Sequence, residues 1–159
     1  MLHLRRETQS GNSDLALKMI IRPDFPSYGN WIKNGATTLH EGFLANRVDS
    51  LNHHFWGDIS GWFVKCLSGI QFNPTGDDMN KVDIKPAFVE ALDYAEGYYT
   101  APAGKILSSW RKEGGHILLT LQISTNVNTT VYLESGYAFE DATSMKTVCS
   151  GEYVIVCGN

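Results

Sequence analysis

The segment Gly35-Ala36-Thr37-Thr38-Leu39-His40-Glu41 gathers two hydroxyls, an imidazole and a carboxylate just past a helix-ending Asn34-Gly35. A loop at a helix end can aim such side chains into a cavity while the rigid element behind fixes them. Glu41 is therefore a candidate functional carboxylate, although a loop glutamate is most often simply solvated. A second cluster is Asn52-His53-His54-Phe55-Trp56-Gly57. Imidazoles beside aromatic rings suit a sugar site, because sugars offer hydroxyls at their edges and apolar C–H faces for stacking. The plainer alternative is a pair of histidines at a helix start, one buried and one wet. Metal binding has less support. His40-Glu41 lacks the following histidine of a zinc-protease helix, and neighbouring histidines point to different faces. Cys66, Cys149 and Cys157 make no ligand spacing and read as buried free thiols. There is no phosphate-binding glycine loop, nucleophile elbow or Cys/His dyad. Trp31, Trp56 and Trp62 could act as stacking platforms, yet tryptophans at helical spacing are more often core, as is Trp110 on its strand. Asn128-Thr129-Thr130 matches a glycosylation acceptor, a pattern frequent by chance.

These candidates sit in a first half with helical periodicity, to about Gly69. Ser13 is a good N-cap for a helix that puts Leu15, Ala16, Met19 and Ile20 on one face, with Pro23 stopping it. A short helix is expected from about Ser27 to Lys33, closed by Asn34-Gly35. After Ser50, the residues Leu51, Phe55, Trp56, Ile59, Trp62, Phe63, Cys66, Leu67 and Ile70 form one broad helical face, broken near Gly57. The second half changes period. Val82 and Ile84, Leu92–Tyr99, Lys105–Lys112, His116–Ser124, Thr129–Leu133 and Tyr153–Cys157 read as strands. Glu113-Gly114-Gly115 is a hairpin signal, and Ser150-Gly151 a turn before the last strand. The fold class expected is α+β, with helices over residues 1–73 and an antiparallel β-sandwich over 74–159, joined near Asn73-Pro74-Thr75-Gly76-Asp77-Asp78.

The sequence has 159 residues, 43% of them apolar, and a net charge of −4. Its scattered Lys and Arg make nucleic acid or an anionic membrane poor partners. No apolar run is long enough to cross a bilayer, and the polar start is not a signal peptide. The compartment stays open. Three helices rich in Trp, Phe and Leu cannot all bury their apolar faces against one another and one sandwich face. They belong in a larger helical layer, so the sequence reads as incomplete. In isolation Leu15, Met19, Phe55, Ile59 and Phe63 are expected to seek a partner, for example in a homodimer.

The order of segments carries more than any one of them. Phe25-Pro26-Ser27-Tyr28-Gly29-Asn30-Trp31-Ile32, followed by Gly35–Glu41, resembles the Tyr-Pro-Ser-Trp-Gly and Gly-Ala-Thr-Thr-aliphatic-Trp-Glu segments of bacterial α-L-rhamnosidases. Ser50–Trp62 resembles their Asn-His…Gly…Glu-Trp segment, and Leu67-Ser68-Gly69-Ile70 the Leu-Ala-Gly-Ile that follows. Ile84-Lys85-Pro86, Ala101–Ile106 with Trp110, and Asn128–Leu133 resemble landmarks of the family's C-terminal sandwich.

This resemblance implies the last helices of an (α/α)6 barrel followed by a jelly-roll-like β-sandwich. It implies inverting hydrolysis of terminal α-L-rhamnosyl linkages with no organic cofactor. Glu41 matches the carboxylate regarded as the general base, and His53 a histidine thought to hydrogen-bond rhamnose hydroxyls. Tyr28 and Trp31 fall where aromatics shape the pocket. His40 stands where the family usually has Trp, and Gly61 where it usually has Glu. The family's general acid lies well upstream of these segments, so this sequence alone is expected to be inactive, needing the N-terminal part of the same enzyme and a rhamnose-containing glycoside or polysaccharide as substrate. A different class of function is a non-catalytic carbohydrate-binding or structural module working through the sandwich. A third reading keeps the barrel and changes the sugar.

Overall fold

The computed structural model describes residues 12–44, 50–72, 78, 80–102 and 104–156, with the backbone of 157. The polar start and most of the expected join at 73–78 lie outside them. The chain divides into two compact units, residues 1–62 and 63–159.

In the first unit, helix α1 (Ser13–Ile21) buries Ser13, Ala16, Leu17 and Ile20, spaced as one helical face. The expected face was rotated: Leu15 and Met19 are exposed at 47% and 40%. Apolar residues occupy nearly every position of Leu15–Ile21, so periodicity could not choose among faces. Ser13 is the first helical residue rather than the cap; Asn12 is the cap, and its side chain makes no capping bond. Arg22 then turns extended (ψ 141°), as a residue before proline does.

Helix α2 (Tyr28–Lys33) follows the sequence closely. Ser27 Oγ accepts from the Asn30 N–H at 2.9 Å, a cap worth about 1 kcal/mol. At the other end Gly35 has φ +82°, the Gly35 N–H donates to Ile32 O and the Ala36 N–H to Trp31 O, which satisfies the orphan carbonyls in a Schellman turn. The stretch after Ser50 is less continuous than expected. A 3-10 turn (His54–Trp56) precedes the short helix α3 (Asp58–Trp62), and the break is at Gly57. Ile59 and Trp62 are buried, whereas Leu51 and Phe55 are exposed.

The second unit opens with a π-helical turn (Phe63–Leu67) and then forms nine strands among the described residues: β1 (Ile70–Phe72), β2 (Lys81–Ile84), β3 (Tyr94–Ala101), β4 (Gly104–Glu113), β5 (His116–Ile123), β6 (Asn128–Tyr132), β7 (Tyr137–Phe139), β8 (Met145–Val148) and β9 (Gly151–Cys157). They make a four-stranded sheet, β1-β2-β6-β8, and a five-stranded sheet, β3-β4-β5-β9-β7. Pairing is antiparallel with one exception that corrects the expectation: β2 runs parallel to β6, with Val82 opposite Thr129. Parallel neighbours need a long crossover, and here the chain between them builds β3, β4 and β5. The β4–β5 hairpin closes with Glu113 opposite His116. Its two loop residues, Gly114 (φ +58°) and Gly115 (φ +85°), adopt the twist-matched geometry that favours glycine at both places.

Alternate residues of both sheets are buried: Val82, Ile84 and Val131 from one, Ile106, Trp110, Leu119, Leu121 and Ile155 from the other. Trp110 is 1% exposed, and its indole N–H donates to Leu67 O at 2.7 Å, so the largest core side chain leaves no buried donor unsatisfied. Gly69 (φ +78°) brings the π-helical turn against the Lys85–Pro86 backbone, where any Cβ would clash. Of the expected buried thiols Cys66 is buried, but Cys149 is exposed after the end of β8.

Candidate active site

Two irregular segments of the first unit, residues 38–41 and 50–53, lie side by side and antiparallel. The Glu41 N–H donates to Ser50 O at 2.8 Å, and the His53 N–H donates to Leu39 O at 2.7 Å. The Thr38 hydroxyl donates to Leu51 O. The Ser50 N–H returns a bond to Glu41 Oε2 at 3.2 Å, which fixes one carboxylate oxygen. Glu41 is exposed and forms no ion pair among the described residues. A solvated carboxylate steadied by one amide keeps lone pairs for other donors.

Helix α2 supports these segments through aromatic rings. Trp31, 5% exposed, stacks on Phe43 at 4.4 Å, and Phe43 meets Trp56 at 4.7 Å. Tyr28 stands edge-on to Trp31 at 5.4 Å and donates its hydroxyl to Trp56 O at 3.1 Å. Trp56 Nε1 in turn donates to Glu41 O at 3.0 Å. A relay of hydrogen bonds therefore runs from α2 through the 3-10 turn to the Glu41 backbone. Burial, aided by the Asp58 charge, pushes the Tyr28 phenol up to about 12, so it stays a neutral donor at any ordinary pH. The His40 ring lies 5.6 Å from Trp31.

His53 caps the 3-10 turn: its Nδ1 accepts from the Phe55 N–H at 3.3 Å. Accepting there leaves Nε2 to carry the proton in the neutral ring. The ring stacks against His54 at 5.4 Å. Among the described residues no group of three or more His, Cys, Asp or Glu side chains converges enough to hold a metal ion.

The structure thus joins Tyr28, Trp31 and His40 in one aromatic cluster, tethers Glu41 to it through its carbonyl, and sets His53 on the segment paired with Leu39. Two contributors escape sequence reading. Phe43 and Ser50 lie in stretches without periodicity, and only the aromatic character of Phe43, two residues past Glu41, marks it. Trp56, expected as core, is half-buried and acts as a hydrogen-bond donor.

Residues 3–67 match the domain family described as the bacterial α-L-rhamnosidase six-hairpin glycosidase domain, and residues 69–145 match the bacterial α-L-rhamnosidase C-terminal domain. The chain belongs to the bacterial α-L-rhamnosidase family. An α-L-rhamnosidase of Alteromonas sp. (strain LOR) is 29% identical over 147 residues, which are 87% of this chain and 16% of that protein. One from Formosa agariphila is 30% identical over 135 residues, 79% of this chain and 14% of that one. The chain therefore spans well under a fifth of the length of these relatives. The solved α-L-rhamnosidase of Dictyoglumus thermophilum superposes with a TM-score of 0.80 at 21% identity, over 98% of this chain and 20% of that one. The Streptomyces avermitilis α-L-rhamnosidase complexed with L-rhamnose gives 0.78 at 22% identity, over 96% and 17%. At such identities the likeness is one of fold: α+β, with few helices and largely antiparallel sheets, as in α-L-rhamnosidases.

Proposed function

We propose that this chain supplies the C-terminal part of an inverting α-L-rhamnosidase, with Glu41 as general base. Residues 1–73 are the last helices of an (α/α)6 barrel, and 74–159 form a β-sandwich that closes the enzyme. In this reading Glu41 takes a proton from a water that attacks the anomeric carbon from the face opposite the leaving oxygen. A general acid from the N-terminal part protonates that oxygen, roughly 6.5–9.5 Å from the base so that the water fits between. His53 Nε2–H donates to a rhamnose hydroxyl. Tyr28, Trp31 and His40 hold the pocket wall rather than react.

The observation that supports this is the way Glu41 is held. Its amide and one carboxylate oxygen are pinned by Ser50 and its carbonyl by Trp56, while the side chain stays exposed. Two bonds to its backbone and one to its carboxylate hold an exposed loop residue in a set place, as a base must be held. The test is Glu41→Gln in the whole enzyme, assayed on an aryl α-L-rhamnoside. Loss of roughly 10²–10⁴-fold in kcat with the fold retained is expected. Unchanged kcat overturns the assignment. The 159-residue chain by itself is expected to show no turnover, since the acid is supplied elsewhere; a rate near that of the whole enzyme refutes the division of labour.

A further inference from the structure

Strand β3 presents two faces of opposite character. Ala95, Gly97, Tyr99 and Ala101 turn inward, and Gly97 lies so close to Ser68 that a Cβ there would collide with its side chain. Tyr94, Glu96, Tyr98 and Thr100 turn outward, with Tyr94 71% and Tyr98 63% exposed. The two tyrosines stand four residues apart on one strand, roughly 13 Å. Single exposed aromatics are ordinary. Two in line, with polar residues across the ladder, are not what a merely solvated sheet needs.

The ladder supplies those polar residues. Glu96 lies opposite Ser109, which lies opposite Thr120; Tyr98 lies opposite Leu107, which lies opposite Gln122. Glu96 and Gln122 have no side-chain partner among the described residues. Near Tyr98, whose ladder partner is Leu107, an open depression of about 240 Å³ is lined by Lys105, Leu107, Gln122, Ile123, Ser124 and Ser150. Lys105 Nζ sits 4.7 Å from the centre of the Tyr98 ring in a cation–π contact.

We propose that this outer face of the five-stranded sheet is a second carbohydrate-binding surface, on which a neutral oligosaccharide chain stacks across Tyr94 and Tyr98. Charge selects the occupant. Arg111 is paired with Glu113 at 2.8 Å, and the other charged residues at outward positions of these strands, Lys105, Glu96 and Glu152, are of mixed sign, so the face carries no single-sign field for a polyanion or a polycation. An apolar protein surface would strand Glu96 and Gln122 without partners. Sugar units satisfy both sets of groups: their C–H faces cover the rings, and their hydroxyls give to Glu96 and take from Gln122 and Lys105. The kind of sugar, a rhamnose polymer, rests on the function proposed above; the surface itself does not.

The experiment is native electrophoresis of the full 159-residue chain in gels containing a soluble neutral α-L-rhamnan. Retardation is expected, weakened about tenfold or more in Tyr94→Ala/Tyr98→Ala and unchanged in Glu41→Gln, circular dichroism confirming that each variant folds. Equal retardation of the wild type and the double variant overturns the proposal, as does no retardation of the wild type. Turnover of an aryl rhamnoside by the whole enzyme is read separately. Retardation without turnover removes the catalytic reading and keeps the surface; Glu41-dependent turnover without retardation removes the surface alone.

Discussion

The two units bury apolar surface very differently. In residues 63–159, Ile84, Ile106, Leu119 and Ile155 are fully buried and Trp110 nearly so, with backbone ladders joining neighbouring strands. In residues 1–62, a few residues of α1, α2 and α3 are buried, while Leu15, Met19, Ile21, Phe25, Ile32, Leu51 and Phe55 remain exposed. One unit has its own core; the other is a half-dressed support for a loop pair. The contrast teaches that the packed core and the proposed site lie in different units. The irregular backbone around Glu41, the proposed base, is steadied by single hydrogen bonds and ring contacts, not by a ladder.

That contrast can be broken at its strong side first. Trp110→Ala removes the largest core side chain and leaves Leu67 O without its donor, so a loss of about 3–5 kcal/mol is expected in urea denaturation. A loss under ~1 kcal/mol means the second unit owes little to that core. On the weak side, Ser27→Ala removes the α2 cap and should cost about 1 kcal/mol. Hydrogen exchange sharpens the point: amides near 28–36 should exchange faster while those of β4 and β5 keep their protection. Uniform acceleration across both units would show that they open together. The smallest effect concerns pH. The Tyr28 phenol has a folded pKa near 12, above the usual 10, so its contribution is complete below pH 10 and is lost as pH rises from 10 to 12. Tyr28→Phe should flatten the stability profile across that alkaline window relative to wild type; identical slopes would place the burial of the phenol in doubt.

Local signals were legible where one residue type alone satisfies a backbone need. Gly114-Gly115 announced the β4–β5 turn, and Ser27 with Asn34-Gly35 bracketed α2 nearly to the residue. Long-range decisions were not legible. Strands β1, β7 and β8 are three or four residues long, too short to establish a period, and Ile70 was absorbed into a helical pattern. Nothing near Val82 says that its neighbour in the sheet is Thr129. At the site, the order of motifs drew attention to Glu41 and His53, but the tethers from Ser50 and Trp56 depend on two aperiodic segments meeting. No propensity describes that. The buried face of α1 was lost for the opposite reason, since too many apolar neighbours satisfied several faces equally.

The parallel register of β2 and β6 has a kinetic consequence. Their pairing closes a long loop that contains the whole of β3, β4 and β5, and closure entropy must be met before those contacts return anything. The β4–β5 hairpin closes over only two residues. The β4–β5 hairpin is therefore expected to form early, and the β2–β6 contacts late, after the more local pairing of β6 with β8.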